Sequence, residues 1–378
     1  MIYYLSEQIL ASQYGDTFSF LNMFRYITTR TAGAALTSLV ICMVVGPSII
    51  HWLKSLKVEQ KYKDKAEEAG GLSARIDKVG TPTMGGIMIV LSMDLSALIW
   101  AQWNEMVILV LVSVIIMASL GFYDDYVKIT QQTGGGISSR TKLIVQILLA
   151  GFISFYVILF MPELKQVIGT IMVPFYKYPV LEDAFVIGSV VAVFAIVGSS
   201  NAVNITDGLD GLAIGCVLLV CVVFLALTYV AGHANIAGYL QVPFVSGAGE
   251  LTVFCGSMLG AGLGFWWFNC HPAEVFMGDT GSLALGGALG VVAVLIQQPF
   301  VLVIAGGVFV AEAASVMIQT GYFKYTRRVY GEGRRIFRMA PLHHHFEKLG
   351  MSETKIVARL YIIGVLLAIV SLATLKIR

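Results

Sequence analysis

Carboxylates gather at the ends of apolar segments in this 378-residue chain. Asp124 and Asp125 close one apolar run, N-I-T-D-G-L-D-G (Asn204 to Gly211) follows another, and F-M-G-D-T-G-S-L (Phe276 to Leu283) opens a third. Adjacent carboxylates suit a hard cation such as Mg²⁺, which takes oxygen ligands octahedrally and binds through one or two carboxylates plus substrate phosphates. They also suit a division of labour in which one Asp holds metal and another accepts a proton. Each motif has a plainer reading beside this one. The Asp pair could be neutralised by Lys128 one helical turn on, the glycines of Asn204–Gly211 could serve an ordinary turn rather than close approach to a ligand, and Asp279 could be an N-cap.

His343, His344 and His345 stand in a row further on, and Cys270-His271 precedes the third motif. Consecutive histidines cannot all aim at one ion, and no C-x-x-C or H-x-x-x-H spacing supports zinc. Histidines, lysines and arginines around carboxylates fit a polyphosphate better, by hydrogen bonding and by neutralising charge that develops in transfer. Asp94 and Glu312 fall inside apolar runs, where ionisable groups are costly. Glu312 precedes Gln319 by about two helical turns and is placed to support the site, whereas Asp94 has no assignable role.

The elements that carry these groups must lie in a bilayer. Apolar residues make up 57% of the chain and charged ones 13%, against roughly 25% charge in a soluble domain, and the mean hydropathy is +0.81. A net charge of +2 gives no reason to expect a nucleic-acid partner. The five cysteines form no C-x-x-C pair and read as reduced, with no disulfide framework. The first twenty residues lack a basic segment before an apolar core, so no cleavable signal peptide is expected.

Spans of about 20 apolar residues cross the hydrocarbon, and about ten are expected, at 32–52, 84–103, 106–123, 142–160, 185–203, 212–231, 250–268, 281–297, 300–320 and 355–375. The fold class is therefore an all-α polytopic membrane protein, residues 1–378 forming a single domain. Connections about 53–83, 124–141, 204–211, 269–280 and 321–354 share one side, and three of them, extended to Lys142 and Lys355, hold most of the Lys and Arg. The other side has Lys165, Lys177 and the termini. The positive-inside rule makes the basic side cytoplasmic and puts both termini outside. Every carboxylate motif then faces the cytoplasm. The first 25 residues read as a short amphipathic helix, 161–184 as an irregular external loop, and Trp100, Trp103, Trp266 and Trp267 as an interfacial belt. No inverted repeat of the kind secondary transporters carry is visible.

The motifs together resemble a known family. F-R-Y-I-T (Phe24–Thr28), K-V-G-T-P-T-M-G-G (Lys78–Gly86), G-F-Y-D-D-Y (Gly121–Tyr126), N-I-T-D-G-L-D-G, the stretch Asn269–Ser282 and P-L-H-H-H-F-E (Pro341–Glu347) are similar to those of the phospho-N-acetylmuramoyl-pentapeptide transferases. These belong to the polyprenyl-phosphate N-acetylhexosamine-1-phosphate transferase superfamily. The resemblance runs from about residue 24 to the C-terminus.

It implies a bacterial inner-membrane enzyme that passes phospho-N-acetylmuramoyl-pentapeptide from UDP-MurNAc-pentapeptide to undecaprenyl phosphate, with Mg²⁺, giving lipid I and UMP. By motif position Asp279 is the first choice for a metal ligand, with Asp124 as a second, and Asp124 is the choice for the base that deprotonates the lipid phosphate; Asp125 would assist either. Asn204, Asp207, Asp210, Asn269 and Phe276 would line the nucleotide pocket, Phe276 by stacking on uracil. Lys128, Lys142, His343, His344 and His345 would hold phosphates, with Gln319 at the substrate and His343 closest to the chemistry. A homodimer is compatible with the sequence. A sister enzyme that moves N-acetylglucosamine-1-phosphate would share the aspartates. An ion-coupled transporter would account for Asp94 and Glu312 but would want its charges at mid-bilayer.

Overall fold

The computed structural model describes residues 1–12, 18–56, 80–130 and 136–376. Lys57, Lys61, Lys63, Lys65, Arg75 and Lys78, most of the basic side chains expected in the first cytoplasmic connection, lie outside the described residues.

Among the described residues, eight helices are long and apolar enough to cross a bilayer. They are α2 (Ile27–Ser55), α4 (Glu105–Thr130), α5 (Ser139–Phe160), α7 (Phe185–Thr206), α8 (Leu212–Ala231), α10 (Gly249–Asn269), α11 (Gly278–Leu295) and α15 (Glu353–Ala373). Two of the ten expected spans come out differently. The span expected at 84–103 is α3 (Gly86–Trp100), whose 15 residues make a rod of about 22 Å, short of a full crossing. The span expected at 300–320 is not continuous. It begins as α12 (Pro299–Ala305), started by a proline whose missing N–H costs nothing at that position, and turns by 83° at Gly306 into α13 (Gly307–Tyr330). α13 then runs on past 320, so Lys324, Arg327 and Arg328 ride on a helix, not in a loop.

Short elements complete the chain: α1 (Ile2–Leu10), a 3₁₀ turn at Ser19–Arg25, α6 (Gln166–Gly169), α9 (Ala234–Leu240) and α14 (Leu342–Lys348). The amphipathic start is α1, tied to the 3₁₀ turn by an Arg25–Glu7 ion pair of 2.6 Å. The 161–184 segment holds only α6 and an Ile171–Leu181 bridge.

The layering follows from side-chain size. α11 carries Gly281, Ala284, Gly286, Gly287, Ala288 and Gly290, so neighbours come close on every side and it is almost wholly buried. Small residues are what permit such approach where apolar solvent gives helices no hydrophobic reason to associate. α4 and α7 pack hardest on it. Ser199 Oγ of α7 donates to Gly286 O at 2.7 Å and Ser200 Oγ to Leu283 O at 3.0 Å. α2, α5, α7 and α15 bury only about a third of their apolar windows, and side chains such as Leu36, Leu148, Phe194 and Leu366 face outward as a lipid-exposed surface would require.

At the ends of α2 and α10 remote from the aspartates, Arg30 and Glu250 form a buried two-point ion pair of 2.5 and 2.7 Å, with Gln102 N–H also donating to Glu250. Removing one member leaves the other charge buried and alone. Glu250→Ala is therefore expected to destabilise the protein by about 3 kcal/mol, read as a fall in Tm in detergent. A Tm within error of the parent would show the pair to be dispensable.

Candidate active site

The ends of α4, α5, α7 and α11 meet at one point, and the chemistry-bearing side chains meet with them. Asp124 and Asp125 lie in the last turns of α4, both buried, with Lys128 one turn on. Lys142 comes from the first turn of α5, Asn204 from the last turn of α7, and Asp279 from the first turn of α11. Oxygens of Asp124, Asp125 and Asp279 lie within 4.8 Å of one another.

Two lysines sit inside this cluster. Lys142 Nζ bridges Asp124 Oδ2 at 2.8 Å and Asp279 Oδ2 at 2.5 Å. Lys128 Nζ lies 2.6 Å from Asp124 Oδ2, 3.1 Å from Asp279 Oδ1 and 3.8 Å from Asp125 Oδ1. Asn204 Nδ2 donates to Asp279 Oδ1 at 2.9 Å, and Ile137 N–H donates to Asp124 Oδ1 at 2.7 Å.

The three carboxylates do different things. Asp125 accepts from Asp279 N–H at 3.3 Å and from Thr280 N–H and Oγ at 3.1 and 3.0 Å. It thus takes up the free N–H groups that begin α11, the work of an N-cap delivered from another helix. The N-cap reading of Asp279 is excluded by the same contacts, because the Asp279 carboxylate points at Lys128, Lys142 and Asn204 and makes no side-chain cap. Gly121 makes the arrangement close: a Cβ there would collide with the carbonyl of Asp279. Gly121→Ala should displace Asp279 and lower turnover by about a hundredfold, the scale of an ångström-level misplacement, with a fall in Tm as well, because backbone must shift. Unchanged turnover would mean that α11 tolerates the shift.

The N-I-T-D-G-L-D-G motif turns from α7 into α8 beside this cluster. Burial pushes the Asp207 carboxyl up to about 7, and the negative charges of Asp279 and Asp125 push the same way. Asp210 is turned elsewhere, its Oδ2 meeting Ala273 N–H at 3.2 Å and His271 Nδ1 at 3.0 Å. Phe276 is half-buried between Pro82 and Gly85, to which its backbone bonds.

Several residues expected at the substrate also bond within the protein. Asn269 accepts from Gly211 N–H at 3.1 Å and donates to Val275 O at 2.8 Å, stitching two loops. Gln319 bonds the backbone of Ile336 and Phe337. The three histidines take separate directions: His343 is fully buried against Glu312, Nδ1 to Oε2 3.2 Å, with Nε2 over Gly208; His344 pairs with Glu347 at 2.5 Å; His345 accepts from Arg338 N–H at 3.1 Å. Glu312 thus meets His343 through both its ring and its backbone N–H. Gly121 and Thr280 fall inside motifs read from the sequence but were given no role there, whereas Glu353 and Tyr361 were not singled out; only Glu353, an acidic residue opening a helix, carries even a weak signal.

The family model described as Glycosyl transferase family 4 matches residues 107–297. Over its whole length the chain is 46% identical to the whole of the phospho-N-acetylmuramoyl-pentapeptide-transferase of Solidesulfovibrio magneticus and 45% identical to that of Methylacidiphilum infernorum. It is 47% identical to the same-named protein of Thermodesulfovibrio yellowstonii, across 96% of this chain and 97% of that one.

Proposed function

The chain belongs to the phospho-N-acetylmuramoyl-pentapeptide transferase family, and from that premise we propose that the aspartate–lysine cluster is where a nucleotide sugar and a lipid phosphate exchange a phosphoryl bond. The reaction is transfer of phospho-N-acetylmuramoyl-pentapeptide from UDP-MurNAc-pentapeptide to undecaprenyl phosphate. An oxygen of the lipid phosphate bonds to the sugar-bearing phosphorus, the bond from that phosphorus to the bridging oxygen breaks, and UMP leaves; the product is lipid I.

The observation that carries this reading is Asp124 and Asp279, from different helices, bridged by Lys142 at 2.8 and 2.5 Å. Lys128 and Lys142 can pass from these carboxylates to phosphate oxygens and neutralise the charge that builds in transfer. Asp124, held by Ile137 N–H, takes the remaining proton from the lipid phosphate. Asp279, oriented by Asn204, and Asp124 offer the oxygen donors that Mg²⁺ prefers. Asp125 is spent on α11 and contributes position. When bound, the ion would polarise the phosphate oxygens and help neutralise them.

The test is UMP release by the purified protein with undecaprenyl phosphate and either UDP-MurNAc-pentapeptide or UDP-N-acetylglucosamine, with and without Mg²⁺. Turnover of the second sugar alone would move the chain to the sister reading.

The Lys and Arg of the loops on its side support a cytoplasmic position for the cluster, at the inner membrane. Cys270, one residue past α10, reports this directly, since it is exposed and the other four cysteines are buried. A membrane-impermeant thiol reagent should leave Cys270 unlabelled in intact spheroplasts and label it once they are opened. Labelling from outside would part the aspartates from any cytosolic nucleotide.

A further inference from the structure

The turn Asp207–Gly211 begins one turn past Asn204, the residue that holds Asp279, and Asp207 feels the charge of Asp279 and Asp125. With the cluster read as the phosphate site, this turn borders the part of the substrate next to the phosphates. Its far half is gripped by the last helix of the chain. Glu353 Oε1 accepts from Asp210 N–H at 2.7 Å, both residues being buried, and Tyr361 OH, two helical turns along α15, donates to Gly211 O at 2.5 Å. Tyr361 is itself wedged between Gly215 and the edge of Trp266. Glu353 Oε2 lies 4.0 Å from His271 Nδ1, and His271 meets Asp210 Oδ2 at 3.0 Å. One carboxylate on α15 thus fixes the Asp210 amide and stands behind the imidazole that fixes the Asp210 side chain.

We infer that Glu353, with Tyr361, is a positioning residue that sets the Asp207–Gly211 turn for the nucleotide end of the donor, acting at a distance from the phosphoryl centre. The reason is energetic as well as geometric. Asp210 N–H is buried, and a buried donor that loses its acceptor costs far more than a solvated one; the turn would re-form elsewhere to satisfy it. Glu353 reaches Asp210 and His271, whereas Asp124 and Asp279 are joined through Lys128 and Lys142, so its loss should reach one substrate and not the other. This rests on the reading of the cluster as a nucleotide-sugar site.

The experiment uses the full-length protein in detergent and UMP as the probe of the nucleotide end. Glu353→Ala should weaken UMP binding and raise KM for UDP-MurNAc-pentapeptide by about tenfold, the scale of one lost buried hydrogen bond, while KM for undecaprenyl phosphate stays within about twofold. Glu353→Gln keeps a carbonyl oxygen for Asp210 N–H and should restore most of the affinity. Tyr361→Phe, which removes only the hydroxyl, should give a smaller loss of the same kind and serves if Glu353→Ala does not fold. UMP affinity unchanged in folded Glu353→Ala or Tyr361→Phe protein, or both KM values rising together, would overturn the inference. Parent protein that neither binds UMP nor turns over the UDP-sugar would instead remove the reading beneath it.

Discussion

Asp279→Asn should lower turnover at least about a thousandfold, the several kcal/mol attributed to a charged group that holds metal and phosphate in place, and should leave the protein folded. The amide keeps the shape of the side chain and can still accept from Asn204 Nδ2. It cannot pair with Lys142 and Lys128, which lie 2.5 and 3.1 Å from the two carboxylate oxygens, nor offer an anionic ligand to a hard cation. Folding should survive because the start of α11 is capped from outside, by Asp125 on the N–H groups of Asp279 and Thr280. The checks are UMP release at saturating substrates over a range of Mg²⁺ and Tm in the same detergent. Near-normal turnover at ordinary Mg²⁺ would remove Asp279 from the chemistry, and a large fall in Tm would show that it supports the helix after all.

The contrast between Asp125 and Asp279 shows where reading the chain alone stops. Asp124, Lys128, Lys142, Asn204 and Asp279 could be grouped from sequence because each falls at the end of an apolar run and the positive-inside pattern sends those ends to one side. Which of two adjacent aspartates faces the pocket could not, since that depends on a helix that begins far along the chain, at Gly278, and docks on Gly121. The same limit explains Asn269 and Gln319. Both read as substrate contacts, and their bonds to the backbone of Gly211, Val275, Ile336 and Phe337 could not be read, because hydrogen bonds between distant loops leave no trace in local spacing. Hydropathy located the helices well because it measures what lipid measures. It missed the 83° turn at Gly306 because composition carries no direction, and a glycine between two apolar runs reads as one run.

The division of labour between Asp124 and Asp279 makes the last prediction. Asp124→Asn should be about a thousandfold slow at pH 5 and about a hundredfold slow above pH 7, within the range a general base contributes. A phosphate monoester has a second pKa of about 6, so its dianionic fraction climbs from about a tenth at pH 5 to about nine-tenths at pH 7. A variant without the base can use only substrate that arrives already deprotonated. Its rate relative to the parent should therefore rise about tenfold across that interval and then level off, as the dianion saturates. A residual loss persists above pH 7 because Lys128 and Lys142 lose contacts of 2.6 and 2.8 Å that help to place them. Asp279→Asn has no such rescue, since a dianionic phosphate replaces neither the ligand nor the partner of Lys142. The measurement is the ratio of each variant's rate to the parent's from pH 5 to 8.5 at saturating UDP-MurNAc-pentapeptide and Mg²⁺. Flat ratios for both would deny that proton removal is Asp124's task, and a rising ratio for Asp279→Asn alone would exchange the two roles.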